Sequence, residues 1–302
     1  MDQRTGVVET IGNTPLFKLR RIGEGKNCAG VYVKAEYLNP SGSVKDRAAR
    51  GMILEGIKSG RLTKDKSILD ATSGNTGISY ALIGAALGFK VTLCIPKNTS
   101  VIRKQILRAL NADIIETDPL LSSDGAMVEA SRIAKENPDK YFFPDQYNND
   151  ENWKSHYNTT GPEIWDQTDH KITHFLAGMG TSGTFTGTSR RLKALNPAIQ
   201  AVAMQPDSPL HGLEGMKHMA STIVPGIYDK SLIDKQVEIS TEDAQEMTLR
   251  LAREEGMFVG ISSGGNVFAA LRLAAELPPD AVVVTILCDN GFRYLHEEIW
   301  SR

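Results

Sequence analysis

Short apolar runs alternate with longer amphipathic segments along most of this chain. Seven runs are predicted to be strands, because they are short, apolar and rich in β-branched residues. They lie at 31–37, 67–72, 90–96, 113–118, 173–178, 199–205 and 281–289. Apolar residues recur at helical spacing at 77–88, 101–111, 124–137, 184–195, 241–256 and 266–277. This alternation predicts an α/β fold in which parallel sheets are covered by helices on both faces.

The length of the chain and one polar stretch indicate its organisation. With 302 residues, the chain is long enough for two packed lobes. The polar stretch "FFPDQYNNDENW" at 142–153 follows the fourth strand-helix unit and predicts a change of lobe. Ligands gather at the carboxyl ends of parallel strands, so the turns from strand to helix are the places to look for chemistry.

Composition and charge exclude several classes of protein. Hydrophobic residues at 41% and charged residues at 23% are typical of a soluble globular protein. A net charge of −2 provides no basic field for nucleic acid or an anionic membrane. The polar N-terminal segment predicts no signal peptide, and no apolar run has membrane-spanning length. Three scattered cysteines and six scattered histidines predict neither a disulfide framework nor a metal site, so we expect a cytoplasmic protein.

The stretch "NPSGSVKDR" at 39–47 contains a lysine in an unusual position. Ser41 and Ser43 are typical helix-capping residues, and a helical pattern follows them. Lys45 then lies in the first turn, where the helix dipole disfavours an ammonium but not a neutral amine. This stretch alone favours an ordinary exposed surface lysine, since most lysines are solvated charges, and a nucleophilic lysine is the alternative that the rest of the chain must support.

Three turns from strand to helix carry further candidate residues. The first is "DATSGNTG" at 70–77, which offers hydroxyl, amide and backbone donors at a helix N-terminus. Such a turn can bind a carboxylate or a phosphate, although the same residues also form plain caps and turns. Its candidate donors are Thr72, Ser73, Asn75 and Thr76.

The second turn, "AGMGTSGT" at 177–184, contains the G-x-G-x-x-G spacing of dinucleotide-binding loops. Asp207 follows the next strand at about the distance that such loops require. The spacing alone is weak evidence, and a pyrophosphate is usually approached by bare glycine backbone. The hydroxyls here suit a single phosphate monoester, and they belong to Thr181, Ser182 and Thr184.

The third turn, "VGISSGGN" at 259–266, could place Ser262 or Ser263 against a ligand. Gly264 and Gly265 would permit its close approach. A reactive lysine, a phosphate cradle, a carboxylate site and a serine at a ring edge together suit pyridoxal 5′-phosphate.

Along essentially its whole length the sequence resembles the pyridoxal-phosphate-dependent cysteine synthase/cystathionine β-synthase family. The motifs that carry the resemblance, in this order, are "IGNTPL", "NPSGSVKDRAA", "TSGNTG", "TTGPEIW", "GTSGTFTG" and "GISSGG". The resemblance implies the tryptophan-synthase-β-like fold, fold type II, with two open twisted sheets covered by helices. It also implies pyridoxal 5′-phosphate as cofactor.

The resemblance also implies a role for each matching residue. Lys45 would form the Schiff base and act as general base, Asn75 would hydrogen-bond the phenolic oxygen, and Ser262 would meet the pyridine nitrogen. The cofactor phosphate would be bound by Gly180, Thr181, Ser182, Gly183 and Thr184. The α-carboxylate of the substrate would be bound by Thr72, Ser73, Thr76 and Gln146.

Within the family the chain is most similar to the B-type branch. "DQYNNDENWKSHYNTTGPEIW", "VPGIYD" and "CDNGFRYL" match that branch, and "LHGLEGMKHMASTIVPGIYD" replaces a glycine-rich segment of the A-type enzymes. In the replacement, Lys217 could provide a counter-charge for an anionic substrate beside the titratable His218, and the alternative is a solvated loop residue. This difference from the A-type enzymes leaves open which leaving group the activated serine carries and which compound donates the sulfur.

The resemblance implies β-replacement through an aminoacrylate, which forms L-cysteine from an activated serine and a sulfur donor. The serine would be O-acetylserine or O-phosphoserine, and the donor sulfide or thiosulfate. A homodimer is expected, with a smaller mobile lobe of residues 40–148 that carries Lys45 and the carboxylate loop. A larger lobe of 1–39 and 149–302 would carry the phosphate loop and Ser262. The alternatives are a cystathionine β-synthase-type reaction with homocysteine and, remotely, a nicotinamide-dependent oxidoreductase.

Overall fold

A computed structural model describes residues 6–23, 29–72 and 74–301 of the chain. These residues divide into two compact units. The first unit is the described part of Met1–Ile11 together with Asn39–Asn152, and the second is the described part of Gly12–Leu38 and Trp153–Arg302. The expected mobile lobe of residues 40–148 stays a prediction.

The described residues form ten β-strands and nine α-helices. The strands are β1 (Leu16–Lys18), β2 (Gly30–Ala35), β3 (Ser67–Ala71), β4 (Val91–Pro96), β5 (Asp113–Thr117), β6 (Tyr141–Phe142), β7 (His174–Gly178), β8 (Gln200–Pro206), β9 (Lys235–Ile239) and β10 (Val282–Leu287). The helices are α1 (Lys45–Lys58), α2 (Asn75–Leu87), α3 (Val101–Ala109), α4 (Ser122–Glu136), α5 (Asp150–Asn158), α6 (Thr160–Gln167), α7 (Gly183–Leu195), α8 (Thr241–Arg250) and α9 (Ile261–Ala275). A π-helical turn, Leu251–Glu255, continues α8.

The first unit contains a four-stranded parallel sheet in the order β5-β4-β3-β6. Parallel neighbours need long crossovers, and α2, α3 and α4 provide them. Every residue of β3 and β4 is buried, which explains why both strands are continuous apolar runs in the sequence. The carboxyl ends of these strands share one edge of the sheet, and the turn from β3 to α2 lies there.

The second unit contains a six-stranded sheet in the order β1-β2-β10-β7-β8-β9. Only β1 runs antiparallel to its neighbour, and the other pairs are parallel. The carboxyl ends of β7 and β10 therefore lie at the same edge, so the turn from β7 to α7 and the segment after β10 are neighbours. This edge holds most of the candidate residues of the second unit.

Each sheet packs against an apolar core of its own. In the first unit, fully buried side chains of α1, α2, β3 and β4 fill the core, among them Met52, Ile53, Ile68, Ile83 and Leu93. In the second unit, buried residues of β2, β7, β10, α9 and the π-helical turn do so, among them Val33, Leu176, Leu251, Val267 and Val283. Helices that bury one face against a sheet are what the alternating apolar pattern predicts.

All seven predicted strands and all the predicted helices are present, but five elements were not predicted. Strands β1 and β6 are only three and two residues long, which is too short for a detectable pattern. Strand β9 lies at the sheet edge and exposes most of its side chains. Helices α5 and α6 follow the polar stretch that predicted only a change of lobe.

Helix α9 begins five residues earlier than predicted, so Gly264 lies inside it rather than in a ligand-binding loop. A Cβ atom at Gly264 would lie 2.1 Å from Thr248 Oγ1 and 2.2 Å from the Ala244 carbonyl oxygen, both on α8. The glycine therefore permits close packing of α8 against α9. Its predicted contribution to ligand approach stays a prediction.

Candidate active site

Lys45 is the first residue of α1, and hydrogen bonds to Asp46 fix the turn around it. The buried Asp46 carboxylate accepts hydrogen bonds from the Ser41 backbone N–H at 2.7 Å and from the Ser41 hydroxyl. It also accepts a hydrogen bond from the Ser79 hydroxyl of α2 at 2.5 Å. Ser43 Oγ accepts the Lys45 backbone N–H at 3.3 Å. The N-cap of α1 is Val44, and no side chain caps the helix, so the predicted capping role of Ser41 and Ser43 is wrong, although both hydroxyls support the turn before the helix.

The Lys45 side chain is half-buried, between the fully exposed and the fully buried classes. Among residues 6–23, 29–72 and 74–301, its amine has no hydrogen-bond or ion-pair partner. No carboxylate in that part of the chain fixes the amine in place. It can therefore form a covalent bond with the aldehyde of a ligand, which is the chemistry that its position predicted.

The turn from β3 to α2 brings together two candidate residues that are 70 positions apart, Thr76 and Gln146. Thr76 Oγ1 donates a hydrogen bond to Gln146 Oε1 at 2.8 Å, and Gln146 Nε2 donates one to the Ala71 carbonyl at 3.0 Å. Thr72 follows Ala71 directly, and its Oγ1 accepts the Gly74 N–H at 3.2 Å. The predicted Ser73 lies outside the described residues.

The first turn of α2 can bind a carboxylate. Asn75 is its first residue, and the opening backbone N–H groups of a helix have no partners within the helix. A Cβ atom at Gly77 would lie 2.9 Å from Thr72 Cγ2, so the glycine lets α2 begin close to the end of β3. The expected contact between the Asn75 side chain and the cofactor's phenolic oxygen stays a prediction.

The turn from β7 to α7 has the shape of an anion cradle. Ser182, directly before α7, has a left-handed backbone with a φ of 67°. Its Oγ is buried and has no hydrogen-bond partner among the described residues. A Cβ atom at Gly180 would lie 2.1 Å from the Gly215 carbonyl oxygen, so only glycine fits there. A buried hydroxyl without a partner is costly, so Ser182 indicates a polar ligand.

The remaining cradle residues surround the first turn of α7. Thr181 Oγ1 accepts the Gly183 N–H at 3.4 Å. Thr184 Oγ1 lies 3.3 Å from His156 Nε2, and His156 Nδ1 lies 2.8 Å from Thr160 Oγ1. His156 is buried and holds Thr184 in place, a role that the sequence analysis missed. No clear signal for it is present in the sequence, because His156 lies near the end of α5 and Thr160 begins α6, so their spacing does not place them on one helix.

The start of α9 distinguishes Ser262 from Ser263. The fully buried Ser263 Oγ accepts the Cys288 backbone N–H at 2.8 Å. The Ser262 hydroxyl has no hydrogen-bond partner in the described part of the chain. Asn266, also missed by the sequence analysis, accepts the Gly178 N–H at 2.8 Å and so joins α9 to the end of β7. Ser262 is thus the serine whose hydroxyl is available for a ligand.

Lys217 lies beside the cradle rather than on an exposed loop. Its side chain is only 8% exposed, which does not fit the alternative of a solvated surface lysine. Its backbone N–H donates to the Met179 carbonyl at 2.8 Å, and Met179 precedes Gly180. Its Nζ lies 3.5 Å from the Ile223 carbonyl oxygen. The neighbouring His218 Nδ1 contacts Ser221 Oγ at 2.8 Å.

The described ranges contain no group of three or more histidine, cysteine, aspartate or glutamate side chains that could hold a metal ion. No helix within those ranges is both long and apolar enough to cross a membrane. Cys94 and Cys288 are free thiols, and Cys28 lies outside the described residues.

The residues present fit the cofactor that the resemblance implies. Pyridoxal phosphate needs an amine for its aldehyde, donors for its phosphate and a polar group at its ring nitrogen. Within the first unit, Lys45 is an amine of the kind that the aldehyde needs. Within the second unit, the buried Ser182 hydroxyl and the glycine-lined turn at Gly180 suit a phosphate, and the Ser262 hydroxyl suits a ring nitrogen.

Comparison with known proteins agrees with this assignment. The family model described as pyridoxal-phosphate dependent enzyme matches residues 7–289. A cysteine synthase of Aquifex aeolicus is 44% identical over 303 residues, which cover 99% of this chain and 93% of the relative. Cysteine synthase B of Escherichia coli is 44% identical over 293 residues, which cover 97% of this chain and 95% of that protein.

Solved structures are similar over nearly the whole chain. O-acetylserine sulfhydrylase isoform 3 from Entamoeba histolytica has a TM-score of 0.92 at 32% identity, covering 99% of this chain and 92% of its own. An O-acetylserine-dependent cystathionine β-synthase from Helicobacter pylori has a TM-score of 0.92 at 36% identity, covering 99% and 100%. The predicted fold class and the predicted resemblance are confirmed.

Proposed function

The chain belongs to the family of pyridoxal-phosphate dependent enzymes, and from that membership we propose that it forms L-cysteine from an activated serine and sulfide. The relatives named cysteine synthase, at 44% identity over nearly the full chain, support this reaction. The structural observation that carries the proposal is the Lys45 amine, which has no partner among the described residues. The similarity to cysteine synthase B supports the B-type branch.

Lys45 is proposed to hold the cofactor and to move the proton of the reaction. Pyridoxal phosphate, when bound, withdraws electrons from the substrate Cα and so allows the β-substituent to leave. Once the substrate amine has released it, Lys45 Nζ takes the proton from Cα. The Cβ–O bond breaks with its electron pair going to the leaving group, sulfide forms the Cβ–S bond, and Lys45 returns the proton to Cα.

The cradle residues are proposed to bind the cofactor phosphate. A helix N-terminus offers backbone N–H groups and a favourable dipole to an anion, and α7 begins there. The buried Ser182 hydroxyl gains a partner in this way, and His156 keeps Thr184 in place. Ser262 is proposed to face the ring nitrogen and Asn75 the phenolic oxygen.

The turn at the start of α2 is proposed to bind the substrate α-carboxylate. Thr76 and Gln146 are already joined by a hydrogen bond, and Thr72 lies next to the Ala71 carbonyl that Gln146 contacts. Ser73 is proposed for the same site. A carboxylate held by backbone and hydroxyl donors fixes the Cα proton in the direction of the base.

O-acetylserine and sulfide are the proposed donor pair. The structural neighbours named for O-acetylserine chemistry support the acetyl leaving group. The comparisons do not favour homocysteine as the nucleophile, since both of the quoted curated relatives are named cysteine synthases. The nicotinamide alternative rested on a glycine spacing, which this chain uses within a pyridoxal-phosphate family.

Two measurements on the purified protein test the proposed function. Bound pyridoxal phosphate gives a yellow, visible-absorbing protein, and a colourless protein after incubation with the cofactor contradicts the proposal. A matrix of O-acetylserine and O-phosphoserine against sulfide, thiosulfate and homocysteine then identifies the donor pair. We expect the highest kcat/KM for O-acetylserine with sulfide. A preference for homocysteine would instead favour the cystathionine β-synthase-type reaction.

We expect that Ser262→Asp changes the product distribution more than Ser262→Ala does. A hydroxyl cannot protonate the ring nitrogen of the cofactor. A carboxylate instead favours the protonated form of that nitrogen, and the protonated ring withdraws electrons more strongly. Side reactions should therefore increase in Ser262→Asp. Loss of one neutral hydrogen bond in Ser262→Ala should cost only about 1 kcal/mol. Visible spectra and product analysis check this, and unchanged spectra in Ser262→Asp would remove Ser262 from the ring nitrogen.

We expect Lys217→Ala to raise the KM for an anionic donor, O-phosphoserine or thiosulfate, by about tenfold, or about 1.4 kcal/mol. An ammonium serves such groups as a point charge, and the buried position of Lys217 limits its screening by salt. The reaction of O-acetylserine with sulfide should change much less. The exposed Lys230 of the same region is the matched control, since Lys230→Ala removes an equal charge. An equal loss with both donor pairs would indicate a general loop defect.

The cytoplasm and a homodimer are proposed as the setting of this enzyme. Family expectation supports the homodimer, and small-molecule substrates are in keeping with the cytoplasm. The net charge of −2 supports the proposal that neither nucleic acid nor membrane is a partner. Light scattering of the purified protein tests the dimer directly.

A further inference from the structure

A buried carboxyl group at the end of β3, that of Asp70, has no place in the chemistry described so far. Asp70 is 2% exposed. Its Oδ1 accepts the Ala71 N–H at 2.7 Å, and its Oδ2 accepts the Tyr80 hydroxyl at 2.8 Å. Across the described ranges it forms no ion pair with a lysine, arginine or histidine. Burying a carboxyl group without a cation is costly, so this position needs a reason.

Four hydrogen bonds and the backbone of α2 together connect Asp70 to the proposed carboxylate site in a closed ring. From Asp70 the ring passes through the Ala71 backbone to Gln146, and from Gln146 to Thr76 on α2. Tyr80 lies one helical turn beyond Thr76 and closes the ring on Asp70. The ring therefore fixes the end of β3, the first turns of α2 and the Gln146 side chain relative to one another.

We propose that Asp70 positions the Gln146–Thr76 pair and takes up a proton from water when the carboxylate of an amino-acid substrate binds beside that pair. This inference rests on the proposed function, because the ligand is the proposed substrate. Two negative charges in a buried region repel each other with little screening, so a bound carboxylate favours the neutral form of Asp70.

The surroundings of Asp70 are suited to such a proton exchange. Burial raises the pKa of Asp70 to about 7, against the hydrogen bonds from Ala71 and Tyr80, and the nearby Asp145 raises it further. Among the described residues, the titratable groups that interact electrostatically with Asp70 are Asp145, Tyr80, Tyr147 and Cys94, and none of these is a base. Burial raises the pKa values of Tyr80, Tyr147 and Cys94.

Both protonation states of Asp70 can be satisfied without movement of the backbone. The ionised carboxylate accepts the Tyr80 hydroxyl. When Asp70 is protonated, its own O–H can donate to the Tyr80 oxygen, and the Tyr80 hydroxyl can turn to Met52 Sδ, 3.8 Å away. The proton therefore changes the charge of the ring while its connections persist.

The sign of the pH dependence follows from linkage. The pKa of Asp70 in the folded protein, about 7, lies above the ordinary value of 3.8. The contribution of Asp70 to the free energy of unfolding is therefore fully present below pH 3.8 and is lost as the pH rises through about 7. Substrate binding raises the pKa further, and linkage is reciprocal. Affinity for the substrate carboxylate is therefore highest when Asp70 is neutral and falls as pH rises past neutrality.

Asp70→Asn is the decisive variant, because an amide can keep the ring in the pattern of the protonated acid without a titratable charge. Between about pH 6 and about pH 8, the KM of the wild type for O-acetylserine should rise about fivefold relative to that of Asp70→Asn, with a smaller change in kcat. The substrate amine titrates equally in both assays, so its effect cancels in the ratio of the two KM values. Parallel KM profiles would overturn the inference.

Two further measurements are a binding experiment that does not need turnover and a second variant that does not depend on the folding of Asp70→Asn. Calorimetry of L-serine binding in two buffers of different ionisation enthalpy should show greater proton uptake by the wild type than by Asp70→Asn. Tyr80→Phe removes a donor to the carboxylate, so its KM inflection should move to higher pH, even if Asp70→Asn fails to fold. Equal proton uptake, or an unmoved inflection, would refute the role of Asp70. If neither protein makes cysteine, the proposed function fails, while the proton uptake still decides the inference.

Discussion

Replacing Lys45 with alanine is expected to abolish cysteine formation while the fold persists. The variant lacks the amine that holds the cofactor and the base that takes the Cα proton. Stability should change little, because the side chain is half-buried, makes no hydrogen bond within the described ranges, and alanine favours a helix. Turnover assays and thermal melting check both statements. Lys58→Ala at the exposed end of the same helix is the matched control and should retain full activity.

A chemical label tests the same residue in the unmodified protein. Reduction of the wild-type holoenzyme with borohydride should fix the cofactor to one peptide, the one that contains Lys45. Mass spectrometry of the digest identifies that peptide. Label on any other lysine, or appreciable turnover by Lys45→Ala, would show that another residue carries the cofactor.

Gly180→Ala is expected to weaken cofactor binding by about tenfold to about a hundredfold, or about 1.4 to 2.8 kcal/mol. The added Cβ atom would lie 2.1 Å from the Gly215 carbonyl oxygen, so the cradle must shift. A shift of the backbone beside Ser182 displaces the donors proposed for the phosphate. Titration of the apoprotein with pyridoxal phosphate, followed by visible absorption, measures the loss.

The matched control is Gly30→Ala in β2, which makes the same chemical change in the same unit. Its Cβ atom would lie 3.1 Å from the Tyr32 ring and 3.7 Å from Lys18 Cε, and both of these are side chains that can move. Cofactor affinity should be retained there. If Gly180→Ala binds the cofactor as tightly as Gly30→Ala does, the cradle does not hold the phosphate where we propose.

The fold and the loop residues could be predicted from sequence because their signals are local. Continuous apolar strands and amphipathic helices repeat within ten residues or so, and the three turns each lie within eight. The glycine positions of the cradle are local in the same way. A lysine in the first turn of a helix is visible from the residues that precede it.

The residues that hold the site in place could not be predicted, because their partners are distant in the chain. Asn266 contacts Gly178 across 88 residues, and Thr184 contacts His156 across 28. The local sequence around Gly264 suggests a loop, but the residue lies inside α9, where its lack of a side chain allows α8 to pack closely. Only the folded arrangement reveals which polar side chain completes which hydrogen bond.

Strand β9 shows how the features that hid it from prediction protect the protein. It forms one edge of the six-stranded sheet, and an open edge is a template on which another chain can add a strand. Lys235 and Glu238 are exposed on it, and Lys235 pairs with Glu276 at 2.6 Å. Another chain would have to desolvate these charged side chains in order to form backbone hydrogen bonds with β9. A segment too polar to be recognised as a strand is thus also a poor seed for aggregation.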